Sequence, residues 1–370
     1  MMGKRLVLIG GGHAHMLTLA NLEKFIGRGH QVTVIGPSPY HYYSGMGPGL
    51  LGKTYAPDGV RFATRKVVEK KGGTFILGEA VRVDPAARQV RLQSGEAIPY
   101  DVLSFNTGSY VPKTIVTSDG LNVFTVKPIE KLLEAQEQIL ALISRKKISI
   151  GIVGGGPSAI EIAGNIWRLS KDASHRPAIT VFAGKRLMSH FPDNLRQKAA
   201  ASLRNRGIVV VESGYAREIS ADKITLDSGQ SYHADIVFLA LGIKPSRIFS
   251  DSGLAAGPDG GLAVNRYLQS TQYPEMFGGG DCIYFKDHPL NKVGVYAVRQ
   301  NPVLLHNLMA ALEGSAMMPF NPGGDYLLIF NMGDGTGILR KKWLLFGGKL
   351  AFFIKDAIDR KFMKKFQSIE

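Results

Sequence analysis

The chain has 370 residues, enough for two domains with full cores, and at 45% hydrophobic and 20% charged it is ordinary for a globular protein. Its single cysteine, Cys282, excludes an intramolecular disulfide and a four-thiolate zinc or iron–sulfur site within the chain, and fits a reducing compartment. A net charge of +15 points to anionic partners; with no nucleic-acid motif and no stacking platform of aromatics, no nucleic acid is expected. No apolar run is long enough to span a membrane, and no secretory signal is expected before the first strand.

In chain order, Leu6 to Ile9 and Gln31 to Ile35 predict two parallel strands, with a crossover helix over 13–27 ending at Gly27 and Gly29. Pro37 to Gly52, rich in Gly, Pro and Tyr, reads as a loop. Short strands are expected at 74–77, 80–84, 89–92 and 101–105, then a helix at 128–145. The pattern then repeats: a strand from Ile148, a helix to about Ser170, strand 178–182, helix 193–206, strand 208–211 and a closing run from Asp235 to Gly242. After Pro258 the chain is expected to return to the first domain, with a helix within 294–313.

Two glycine-rich turns stand about one domain apart, each between a strand and a helix: Gly10-Gly11-Gly12-His13-Ala14-His15 and Gly154-Gly155-Gly156-Pro157-Ser158-Ala159. Glycines let the backbone approach a pyrophosphate, and the following helix N-terminus offers free N–H donors to its charge. Two such turns imply two dinucleotides, most simply a flavin and a nicotinamide.

Taken with Asn106-Thr107-Gly108-Ser109, Leu239-Ala240-Leu241-Gly242 and Phe277-Gly278-Gly279-Gly280-Asp281-Cys282, these turns resemble the flavoproteins with two dinucleotide-binding domains, the pyridine nucleotide-disulfide oxidoreductase clan. Within that clan the chain looks most like type II NADH:quinone dehydrogenases and their sulfide:quinone relatives. Tyr43 to Gly49 and Tyr296 to Gln300 also resemble the NADH-dehydrogenase-like module fused to some selenophosphate synthetases.

The resemblance implies an α/β fold with two Rossmann-like domains, the second inserted in the first: FAD in 1–120 and 258–325, NAD(P)H in 121–257. It places FAD on Gly10, Gly12, His13, Ala14 and His15, on Thr107 and Gly108, on Gly280 and Asp281, and on Ala297. Two departures stand out. His15 occupies the third fingerprint glycine, and no carboxylate follows Ile35, leaving Ser38 or backbone groups for the adenosine ribose.

For NAD(P)H it implies Gly154, Gly156, Ser158, Ala159 and Gly242. After the next strand, Lys185 and Arg186 replace the acid that reads a ribose 2′-hydroxyl; they either accept a 2′-phosphate or are solvated surface charges. Glu161 matches a family glutamate near the nicotinamide, although a first-turn glutamate favoured by the helix dipole reads the same way. Gln300 and Tyr296 match positions near a quinone headgroup, and Pro48 lies on the loop that passes the isoalloxazine in relatives. No carboxylate or thiolate completes a metal set with His13, His15 and His41, so no metal is expected.

The tail, 326–370, is different in kind. From Arg340 onward it carries nine Lys/Arg against three acids. Leu350, Phe353, Ile354, Ala357 and Ile358 fall at helical spacing, with Trp343 and Phe346 before them. A basic amphipathic helix of this kind lies in a membrane plane on anionic lipid; packing on the protein's own core, or at a homodimer interface, is the alternative. The expected activity is therefore electron transfer from NAD(P)H through FAD to a quinone, peripherally on the cytoplasmic side of a membrane. Another donor such as a sulfur species, or a redox-sensing flavin module without turnover, remains the alternative.

Overall fold

The structure, a computed structural model, describes residues 3–118 and 122–370. The expected boundary at 120 and 121 lies outside the described residues. Two five-stranded parallel sheets form the frame. In the first, strands run in the order 276–278, 102–105, 5–9, 31–36, 74–77. Arg5–Ile9 pairs with Gln31–Gly36 on one side and Val102–Phe105 on the other. Leu6, Leu8, Leu103 and Phe105 have no exposed surface, as continuous apolar runs in a two-sided parallel sheet require. The edge strand Met276–Gly278 arrives only after the second unit, so the first sheet is completed from a distant stretch of chain.

The second sheet has the same plan: 123–125, 236–239, 149–153, 178–182, 209–211. Each unit also carries a small three-stranded antiparallel sheet, at 80–99 in the first and 216–233 in the second. The expected helix over 13–27 is two short helices, Met16–Ala20 and Leu22–Ile26. They break at Asn21, whose φ of −123° is not helical and whose side chain donates to the Leu17 carbonyl at 2.8 Å.

The Gly/Pro-rich stretch expected as a loop contains a helix, Gly47–Leu51. Its glycines allow close packing. A Cβ on Gly49 would lie 2.4 Å from the Tyr55 ring, and one on Gly47 would lie 2.8 Å from Ile129.

The tail opens with an antiparallel sheet, Leu328–Asn331, Gly337–Lys341 and Leu344–Gly348, before the helix Lys349–Gln367. That sheet packs on the helix Pro157–Ser170 of the second unit; a Cβ on Gly164 would meet the Met332 carbonyl at 2.2 Å. The tail helix packs on Arg61–Phe62 of the first unit, so the tail straddles both. Its inner face is Ala351, Lys355, Asp359, Met363 and Phe366. The stripe singled out in the sequence points the other way: Leu350, Phe353 and Ile358 are 63%, 68% and 46% exposed, and Trp343, in the turn before the last strand, is 89% exposed.

Candidate functional site

A cleft of about 330 Å³ runs along the carboxyl ends of the first sheet. In open α/β sheets, ligands bind at that end, where the strand order reverses. The first fingerprint forms its floor. Gly10 adopts φ +87°, and a Cβ there would sit 2.3 Å from the Asn106 carbonyl; a Cβ on Gly12 would sit 2.3 Å from Asn106 Oδ1. Asn106 ties the motifs together: Oδ1 accepts the Ala14 N–H at 3.2 Å, and Nδ2 donates to the Gly279 carbonyl at 2.7 Å.

Of the residues read for FAD, Gly10, Gly12, His13, Ser38, Thr107, Gly108, Gly280, Asp281 and Ala297 line this cleft. Ala14 and His15 do not. Ala14 is wholly buried, and a Cβ on Gly279 would meet its methyl at 2.7 Å. His15 turns inward, its ring nitrogens 2.7 Å from the Gly10 carbonyl and 2.8 Å from Ser104 Oγ. The side chain that replaces the third glycine thus braces the fingerprint from below.

At the far end of the cleft Asp281 is held by Lys127 Nζ at 2.6 Å and by the Ser109 hydroxyl, which donates to it at 2.8 Å. Lys127 was not picked out in the sequence; its place beside a Pro after a short strand carries no recognisable signal. Glu79 lines the cleft on the Ser38 side. No carboxylate follows the first sheet's second strand, 31–36; Glu79 follows the next strand of the sheet, 74–77.

The cleft fits a flavin dinucleotide. Thr107 Oγ1 and His13 Nε2 are buried with no hydrogen-bond partner, and both residues line it. Gly294 and Ala297, in the first turn of the 20-residue helix Gly294–Glu313, bring that helix N-terminus to the same cleft. Burial holds His13 down at about 4 and His41 at about 3, so both are neutral near pH 7. Cys282 is buried, its thiol pushed up by burial and donating to the Gly279 carbonyl at 3.2 Å.

On the second sheet Gly154 adopts φ +140°, and a Cβ there would lie 2.2 Å from the Ala240 carbonyl. Gly156 caps the helix Pro157–Ser170, and nothing lies within 4 Å of a Cβ on it or on Gly242. Ser158 is exposed, while Ala159 is buried in the helix–sheet interface. Beyond the strand 178–182, Lys185 is exposed and Arg186 pairs with Asp193. Glu212 is occupied, accepting the Leu187 N–H at 2.6 Å.

Of the four residues read as catalytic, Tyr296 and Gln300 line one small cavity with Gly280 and Asp281, and Glu161 and Pro48 do not line it. Glu161 faces the tail: its carboxylate accepts the Asn331 N–H at 2.7 Å, and burial pushes it up to about 7 against the pull of Lys355. Gln300 is 1% exposed and its carbonyl oxygen accepts the Gly280 N–H at 2.7 Å, which fixes the turn before Asp281. Tyr296 packs edge-on against Tyr326, 5.5 Å between centroids. Pro48 is the second residue of the helix at 47–51 and is not part of the cleft lining.

Residues 4–308 match the family described as pyridine nucleotide-disulphide oxidoreductase. Type II NADH:quinone oxidoreductases of Staphylococcus epidermidis and Staphylococcus aureus are 25% and 23% identical, each alignment covering 99% of this chain and 96% of the relative. Among solved structures, NDH2 of Plasmodium falciparum in complex with NADH superposes with TM-score 0.82 at 13% identity, covering 98% of this chain and 97% of that one. The sulfide:quinone oxidoreductase of Aquifex aeolicus gives 0.79 at 20% identity, over 100% and 92%. With two parallel five-stranded sheets and most of its length matched, the chain belongs to the pyridine nucleotide-disulphide oxidoreductase family, and it is an oxidoreductase.

Proposed function

We propose that the protein carries electrons from NAD(P)H through FAD to a quinone at a membrane surface. The observation that carries this reading is the cleft on the first sheet, whose wall presents two buried polar atoms without partners beside a side-chain-free glycine turn. A second glycine turn, Gly154 to Gly156, stands on the other sheet, with open space around Gly156. FAD, when bound, supplies acceptance of a hydride and donation of two electrons.

The protein's own part is placement. The fingerprint backbone and the N-terminus of the helix 294–313 meet negative charge with free N–H groups. Lys127 and Ser109 fix the Asp281 carboxylate, and Gln300 fixes the turn that carries it. Hydride transfer between stacked rings depends on position more than on an acid or base, which fits a site with few free titrating groups. A second cysteine for disulfide exchange is absent from the chain, and the one present is buried.

The acceptor is read from the tail. Trp343, Leu344, Leu350, Phe353 and Ile358 are exposed together on a segment rich in Lys and Arg, the composition of an in-plane membrane helix. Among the described residues no helix is long and apolar enough to cross a membrane. The domain assignment, 1–120 with 258–325 for FAD, 121–257 for NAD(P)H and 326–370 for membrane association, belongs to the same proposal, as does peripheral attachment on the cytoplasmic side. Anaerobic reduction of the bound flavin by NADH or NADPH, and its reoxidation by a quinone analogue, tests the reading.

A further inference from the structure

The tail helix reaches back to the first fingerprint. Phe362 stacks on His13, 5.6 Å between centroids and 15° between planes, and on Tyr43 at 4.9 Å. On its other side His13 meets His41 edge-on, with ring nitrogens 3.2 Å apart. The helix is held in place by polar contacts: Lys355 donates to the Gly45 carbonyl at 2.7 Å, and the Tyr43 hydroxyl donates to Asp359 at 3.1 Å. The His13 carbonyl is taken by Asn301 Nδ2. His13 is therefore fixed at its backbone, its ring face and Nδ1. Only Nε2 is left, buried without a partner on a residue of the cleft wall.

We propose that Phe362 is a positioning residue for the flavin, clamping the His13–His41 pair so that His13 Nε2 hydrogen-bonds the bound FAD. The proposal rests on the flavin reading of the cleft. A buried ring nitrogen without a partner is costly, and a ligand atom that satisfies it recovers that cost on binding. The contact is unforeseen in the sequence, since it joins position 13 to position 362. It makes the membrane-associating segment part of the cofactor site: one face of the tail helix is exposed to its surroundings, and the other holds a fingerprint side chain in place.

The test uses the purified holoprotein, diluted so that released FAD is followed by the rise in free-flavin fluorescence. Phe362→Ala and His13→Ala are each expected to speed release by about tenfold, the loss of roughly one hydrogen bond to a buried group. Phe362→Leu, which keeps apolar volume without the stacked face, is expected to do the same, and Phe362→Tyr to release at the wild-type rate. Because both residues act through one contact, the Phe362→Ala/His13→Ala double variant should release no faster than either single variant. Unchanged release in Phe362→Leu, or multiplied effects in the double variant, would overturn the clamp while leaving the flavin reading intact. Wild-type protein that takes up no FAD would overturn that reading and the clamp together.

Discussion

Lys355 and Asp359 form a buried ion pair one turn apart on the tail helix, 2.6 Å from Nζ to carboxylate, with side chains 9% and 6% exposed. Two charges thus sit on the inner face of a helix whose apolar stripe faces out. Removing one partner strands the other charge at a cost of about 3–5 kcal/mol, whereas replacing both by apolar residues of similar volume is often near neutral. Lys355→Met should lower unfolding stability by an amount in that range, and Lys355→Met/Asp359→Leu should recover most of it. Urea unfolding of the three proteins decides; equal stability of Lys355→Met and wild type would show that the pair does not hold the tail.

Glu161 gives a signed pH dependence. Its pKa rises from 4.5 to about 7 on folding, burial being the largest cause. The folded protein therefore keeps a proton that the unfolded chain has lost across that window. The stability from this group is fully present below pH 4.5 and is lost as pH rises towards 7. Glu161→Gln should remove that loss, so the difference in unfolding free energy between variant and wild type should grow in favour of the variant between pH 5 and pH 7. A pH-independent difference would contradict the shift. His13 and His41, with folded pKa values of about 4 and about 3, slope the other way: their contribution is lost as pH falls below the ordinary histidine value of 6.5.

The nicotinamide assignment is exposed at Gly156. A side chain there meets nothing within 4 Å, and the position is a helix N-cap, where Asp is well tolerated. Gly156→Asp should keep the fold and the flavin while repelling an anionic dinucleotide, slowing reduction by NAD(P)H by roughly a hundredfold or more through loss of the anion site. Unchanged stopped-flow reduction would remove the second fingerprint from the nucleotide site. Gly154 is a poorer probe, because a Cβ there collides with the Ala240 backbone and the fold itself would suffer.

Membrane association is tested on exposed residues alone. Leu350→Ser, Phe353→Ser and Ile358→Ser together alter side chains that are 63%, 68% and 46% exposed, so thermal stability should hold. Co-sedimentation with vesicles containing anionic lipid should fall several-fold as apolar insertion is lost. Full retention on the vesicles would place the contact elsewhere.

The strands 5–9 and 149–153 were legible because each is a largely apolar run, buried over all but its first residue and ending in a glycine turn. Leu6 to Ile9 and Ala178 to Phe182 need no tertiary context to be read. Gly47 and Gly49 misled for a physical reason. They look like loop glycines, but their missing side chains admit Ile129 and Tyr55 against a short helix. His15 could be seen as a departure, yet its bond to Ser104 could not, because the partner lies 89 positions away. The tail sheet at 328–348 was hidden by its glycines and basic residues. The inward turn of Lys355 and Asp359 ran against the expectation that charges face solvent. Long-range pairing, rather than local pattern, set each of these.

The most direct measurement is the visible absorbance of the purified flavoprotein under anaerobic conditions, after NADH and then NADPH, followed by a quinone analogue. The account predicts rapid bleaching by at least one nucleotide and full recovery of the oxidised spectrum with quinone. A bound flavin that stays oxidised with both nucleotides would contradict it.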